Sequence, residues 1–306
     1  MTENNQSARR VPFTVIGGFL GAGKTSLVNH LLANAEQRYA VLVNDFGALN
    51  IDAKLIQKHQ GDTISLANGC ICCSLAAGFS KGLGQVLDKL DNFDHVIVEA
   101  SGIADPARIQ DIARIEPRLE ARGNLVMLDA KQLLQQAQDD HIGSLIHQQI
   151  AAADLLLVNK QELITSTEKR ALQHFLEALS NVPQCFTDWG QITPEQVLGL
   201  VPSPRKLRPL LTEAKNHGLF NQILSTDKPL TSTEFTTWVS RLSKDILRAK
   251  GVVHFSDKPG AWLWQKAGDQ ERLTGYTGNV SENLGLGCEL LLIGKRRETL
   301  PVSFSG

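Results

Sequence analysis

The chain has 306 residues, 42% hydrophobic and 21% charged, enough for one large domain or for a larger and a smaller one. Its 31 basic and 32 acidic side chains leave a formal net charge of −1, without the positive excess that a broad nucleic-acid-binding surface requires. The opening MTENNQSARRVPF lacks an apolar signal-peptide core and no apolar run approaches the ~18–20 residues of a membrane span, so a cytoplasmic protein without a membrane partner is expected.

Over the first ~200 residues, apolar runs alternate with amphipathic ones. Strands are expected at FTVIGG (13–18), YAVLVND (39–45), HVIVEA (95–100), NLVMLDA (124–130) and DLLLVNK (154–160), with a weaker one at DTISL (62–66). Most are continuously apolar, as parallel strands buried on both faces are. Helices are expected between them, at KTSLVNHLLANA, SKGLGQVLDKLDNF, PARIQDIARI, IGSLIHQQIAAA and TEKRALQHFLEAL. That alternation predicts an α/β domain over residues 1–200, a mostly parallel sheet covered by helices on both faces.

The first strand runs into GFLGAGKT at 18–25, a full G-x-x-x-x-G-K-[ST] phosphate-binding loop opening a helix. Backbone N–H groups from Gly18 through Gly21, Ala22, Gly23 and Ser26 are placed to wrap phosphate at the positive end of that helix. Lys24 is expected to reach the β- and γ-phosphates, and Thr25 to bind Mg²⁺. Two acids where strands give way to loops, Asp45 and Glu99, are candidates for the magnesium sphere, and Gly102 lets its loop approach phosphate closely. At the end of the fifth strong strand, Asn159, Lys160 and Glu162 resemble the N-K-x-D of guanine-specific proteins. A carboxylate there accepts from guanine N–H groups that adenine lacks, so GTP is favoured over ATP.

Between those acids, Cys70, Cys72 and Cys73 form a Cys-x-Cys-Cys run, far in sequence from Cys185 and Cys288. In a reducing compartment clustered thiols serve metals or catalysis more often than disulfides, and adjacent Cys72 and Cys73 would make a strained bridge. Thiolates suit Zn²⁺, and three of them leave a fourth position open; buried apolar packing is the plainer alternative.

VPSPRKLRP (201–209) carries three prolines and is expected to lie in a linker over 201–216. A single long helix over 231–250 is expected next, followed by short strands GVVHFS, AWLWQKA, RLTGYTG and CELLLIG. These predict a smaller α+β domain over 217–306. Trp262 and Trp264 share a strand face suited to packing, and His254 is a strand residue rather than a metal ligand.

GFLGAGKT, NDFGALNID, NGCICC, VEASGIADP, QQIAAADLLLVNKQE and LRAKGVVHF, in that order, resemble the CobW-like P-loop GTPases, which are related to the urease and hydrogenase nickel-insertion GTPases. The resemblance implies a GTP-hydrolysing metallochaperone with Lys24, Thr25, Asp45 and Glu99 in its catalytic machinery. It also implies Mg²⁺ with GTP, zinc or cobalt on Cys70, Cys72 and Cys73, and a link to metal-cofactor pathways such as cobalamin biosynthesis. The C-terminal CobW-like domain would then serve client or self recognition, with a metalloprotein or cofactor-pathway client and a homodimer as candidate partners. The chain departs from the family pattern in having Asp45 and Glu162 where Glu and Asp are usual, and its eight histidines form no metal-binding tract. Two other functions fit the same residues: a regulatory GTP/GDP switch with structural cysteines, and an ATP-dependent enzyme acting on a small molecule.

Overall fold

The computed structural model describes residues 9–43, 63–65, 77–204, 219–276, 287–301 and 303–304. The chain divides into two compact units, Met1–Gln138 with Gly143–Ala214, and Asp139–Ile142 with Lys215–Gly306. Among the described residues of the first unit, seven strands form one parallel sheet. They are β1 (Val11–Gly18), β2 (Tyr39–Val43), β3 (Thr63–Ser65), β4 (His95–Glu99), β5 (Leu119–Asp129), β6 (Leu155–Asn159) and β7 (Gln184–Phe186), ordered β3-β2-β4-β1-β5-β6-β7 across the sheet. Register gathers their carboxyl ends along one edge: Ile16 and Val43 both pair with Glu99, Gly18 with Met127, and Asp129 with Asn159. That edge is where open α/β sheets bind ligands.

The helices among the described residues of this unit are α1 (Lys24–Ala33), α2 (Ala77–Asp88), α3 (Pro106–Ile115), α4 (Leu133–Ala137), α5 (Gly143–Ala151), α6 (Ser166–Leu179) and α7 (Pro194–Leu198). Successive strand residues point to opposite faces. Phe13, Val15, Val96 and Val98 pack with Phe79 and Val86 of α2 and Ile109 of α3. Ile16, Ile97, Leu125 and Met127 pack instead with Leu27, Val28 and Leu31 of α1 and Val197 of α7. Both sheet faces are therefore covered, as the unbroken apolar runs require. β7 and the short α4 and α7 carry too few residues for a periodic signal, and the sequence pattern does not mark them.

Among its described residues the second unit holds a five-stranded antiparallel sheet, β8 (Phe220–Thr226), β9 (Ile246–His254), β10 (Ala261–Ala267), β11 (Gln270–Tyr276) and β12 (Cys288–Gly294), in the order β11-β10-β9-β12-β8. The helix α8 (Ser232–Ser240) packs on it, with Phe235, Trp238 and Trp264 forming an aromatic core. The Phe235 and Trp264 rings meet edge to face, 5.3 Å apart. His254 keeps a strand role, its Nδ1 lying 2.7 Å from the Gly287 carbonyl oxygen.

The expected helix over 231–250 is corrected by this arrangement. Thr231 and Glu234 form a reciprocal cap that starts α8 where the sequence indicates. The helix stops at Ser240, a turn places the Ile246 N–H on the Ser243 carbonyl, and residues 246–254 become the central strand. β9 pairs with β10 on one side and β12 on the other. Two ladders of backbone hydrogen bonds outweigh the helical propensity of Leu, Arg, Ala and Lys.

His95, 3% exposed at the start of β4, shares a 2.8 Å hydrogen bond with Thr14. Burial, with the Arg122 charge adding to it, pushes its imidazole down from 6.5 to about 4. Above pH 6.5 both folded and unfolded states keep it neutral. As pH falls toward 4 only the unfolded chain takes up the proton, so the neutral burial is lost as a source of stability, to about 3 kcal/mol. His95→Gln should flatten the denaturation free energy between pH 6.5 and 4; an unchanged slope would show that His95 does not set it.

Candidate functional site

The turn from β1 into α1 is shaped by glycine. Gly23 has φ 109°, and a Cβ there would lie 2.5 Å from Asn159 Nδ2, so any side chain would both strain the turn and collide with β6. Lys24, 6% exposed, folds back over the loop, its Nζ donating to the carbonyls of Gly18 at 2.9 Å and Phe19 at 3.1 Å. A full positive charge is thus held at the loop. Thr25 faces the end of β4, its hydroxyl donating to Glu99 Oε1 at 2.8 Å. Ala22 is buried, while Ser26 is exposed on the outer side of α1.

The segment after Glu99 is held from several directions. A Cβ on Gly102 would meet Leu20, 2.4 Å from Cδ2 and 2.8 Å from the backbone nitrogen, so the close approach this glycine permits is to the β1–α1 loop itself. Asp105 caps α3 through the Ala107 N–H and accepts from Gln148 at 2.7 Å. Gln149 donates to the carbonyls of both Gly102 and Ala104. The buried Ser101 hydroxyl finds no partner among the described residues.

At the end of β6, Asn159 braces two loops: its Nδ2 donates to Ala22 O at 2.9 Å and its Oδ1 accepts from Gly190 N at 2.8 Å. Lys160 sits at φ 63° and donates to Asp129 Oδ2 at 2.6 Å. Glu162 follows in a short 3₁₀ turn, its N–H held by Asp188 Oδ1 at 3.1 Å. Partial desolvation, with the Asp188 carboxylate beside it, raises the Glu162 carboxyl above its ordinary range.

Lys24, Thr25, Glu99, Gly102 and Asn159 therefore converge on one sheet edge, with Lys160 and Glu162 continuing it. Asp45, Cys70, Cys72 and Cys73 lie outside the described residues. Asp129, Asp188, Gly190 and Gln149 join the site without having been singled out in the sequence. Asp129 carries the signal that marked Glu99, an acid ending an apolar strand. Gln149 and Gly190 carry none, because their partners are distant in sequence.

Two family models match the chain. "CobW/HypB/UreG, nucleotide-binding domain" covers residues 12–186, and "Cobalamin synthesis protein cobW C-terminal domain" covers 221–300. A zinc chaperone CobW from Sinorhizobium sp is 31% identical over 202 residues, 56% of this chain and 57% of that protein. A zinc-regulated GTPase metalloprotein activator 1 from Schizosaccharomyces pombe is 30% identical over 177 residues, 54% of this chain and 43% of that protein. The chain thus spans about half the length of the curated relatives it matches. A solved structure of Zn(II)-bound YjiA GTPase from E. coli aligns with 95% of this chain and 96% of its own, at 22% identity and a TM-score of 0.45. Since the first family model spans more than half of the 306 residues, the chain belongs to the CobW/HypB/UreG family.

Proposed function

We propose that this protein is a GTP-hydrolysing metallochaperone that binds zinc, its cargo, through Cys70, Cys72 and Cys73 and passes it to a client metalloprotein. The observation that carries the nucleotide half is the Thr25–Glu99 pair at 2.8 Å, beside a buried Lys24. A hydroxyl and a carboxylate are hard oxygen donors that fit Mg²⁺, and the Ser101 hydroxyl is a buried group that a bound oxyanion or its water would satisfy. Thr25 and Glu99 would hold the magnesium, with Asp45 the further acid proposed for its sphere. When bound, Mg²⁺ neutralises charge on the phosphate oxygens. Lys24 stabilises the charge that develops as water attacks the γ-phosphorus and the bond to the bridging oxygen breaks. Glu162, with Asp188 beside it, favours guanine by accepting from its N–H groups.

For the cargo, three thiolates from one loop suit Zn²⁺, and Co²⁺ fits the same donors. The similarity to a zinc chaperone and to a zinc-regulated GTPase activator supports zinc. The three cysteines lie between Asp45 and Glu99 in sequence, and the coupling proposed is that GTP-bound and GDP-bound states present them differently and so differ in zinc affinity. No described helix is long and apolar enough to cross a membrane, and the proposed setting is the cytoplasm.

The test is Zn²⁺ affinity by chelator competition, with Mg²⁺–GDP against a non-hydrolysable GTP analogue. The expected result is a difference of about tenfold, some 1.4 kcal/mol of coupling, that disappears in Cys72→Ser. Equal zinc affinity in the two nucleotide states would reduce the metal to a structural one and end the carrier reading.

A further inference from the structure

The segment after β7, residues 187–191, is held by several hydrogen bonds at the nucleotide edge, yet it presents an aromatic side chain to water. Thr187 N–H donates to Val158 O at 2.9 Å, and Thr187 Oγ1 closes the turn on Gln191 O at 2.6 Å. Asp188 holds the Glu162 N–H, and Gly190 N–H is bound by Asn159. A Cβ on Gly190 would lie 3.5 Å from Leu27, so the loop also rests on α1 just beyond the phosphate-binding turn. Between these anchors Trp189 is 71% exposed and sits at φ 56°.

Both properties are unfavourable for tryptophan. Left-handed backbone suits glycine or asparagine, and a large indole left in water forgoes its burial. Among the described residues no packing contact of the loop calls for an indole, whereas strained, exposed residues that the surroundings hold in place gather at ligand sites. The anchors on either side of it are the partners of Asn159 and Glu162, the residues proposed for base recognition.

We propose that Trp189 is a base-contacting residue of the nucleotide site, its indole face stacking on the purine of the bound guanine nucleotide. This rests on the nucleotide reading above. Stacking supplies affinity for a flat heteroaromatic ring, while the Glu162 and Asp188 carboxylates supply the choice of ring. It also makes the site self-reporting, since the other three tryptophans, Trp238, Trp262 and Trp264, belong to the second unit.

The test uses the full chain with Mg²⁺–GDP and, as a ligand without a base, Mg²⁺–pyrophosphate. GDP should change the indole emission of the wild-type protein, and Trp189→Phe should lose that change while binding GDP within about threefold of wild type by calorimetry. Trp189→Ala should bind GDP about tenfold more weakly yet hold pyrophosphate within about twofold, since only the stacked ring is lost. Wild-type GDP affinity in Trp189→Ala would overturn the assignment while leaving the nucleotide site standing. Equal weakening toward GDP and pyrophosphate would reduce Trp189 to a structural role and overturn it as well. Absence of any GDP binding to the wild-type chain by calorimetry would remove the nucleotide reading and this assignment together.

Discussion

Lys24→Ala is expected to lower kcat for GTP hydrolysis by about 10²–10³-fold, the loss typical of removing one preorganised group aimed at charge that develops in the transition state. The ammonium is already at the loop, buried and held on the Gly18 and Phe19 carbonyls. Lys24→Arg should not restore the rate, because a planar fork cannot occupy the space of a compact ammonium. Single-turnover hydrolysis at saturating GTP separates this from weakened binding. An unchanged single-turnover rate in Lys24→Ala would remove Lys24 from the chemistry.

Asp129→Ala is expected to destabilise the protein by about 3 kcal/mol, the low end of what breaking a buried ion pair from one side costs. The side chains of Asp129 and Lys160 are 6% and 13% exposed, with Nζ and Oδ2 2.6 Å apart. Asp129 also accepts from the Lys131 N–H at 3.0 Å, so the substitution takes one acceptor from a part-buried cation and one from a backbone donor. Lys160 occupies the left-handed region, and Asp129 is one of the contacts that hold it there. Asp129→Asn, which keeps an acceptor oxygen, should lose less. Pairing Asp129→Ala with Lys160→Met should recover part of the loss, since the buried charge goes with it. Urea denaturation of the single and double variants measures each step, and a loss below about 1 kcal/mol in Asp129→Ala would show that the pair is effectively solvated.

Much of the nucleotide edge is written in local patterns. The β1–α1 turn needs glycines in fixed places, Lys24 and Thr25 follow them, and Glu99 ends an unbroken apolar strand. Period and turn chemistry are local properties, so the α/β alternation of the first unit and the capped start of α8 could be read from neighbouring residues. The Cys-x-Cys-Cys run is equally local, and its chemistry follows from thiolate softness.

What only the tertiary structure decided is where distant segments satisfy one another. Residues 246–250, the first half of β9, have the composition of a helix and become strand because β10 and β12 offer them hydrogen bonds on both sides. Asn159 is a brace between Ala22 and Gly190, 137 and 31 residues away. Gln149 reaches the Gly102 and Ala104 carbonyls from another helix, and Gly102 is small because Leu20 fills the space beside it. These contacts depend on parallel strand order, which places the ends of β1, β4, β5 and β6 side by side whatever their separation along the chain. Propensity and spacing act over a few residues, whereas burial and hydrogen-bond satisfaction act over whatever the fold brings together.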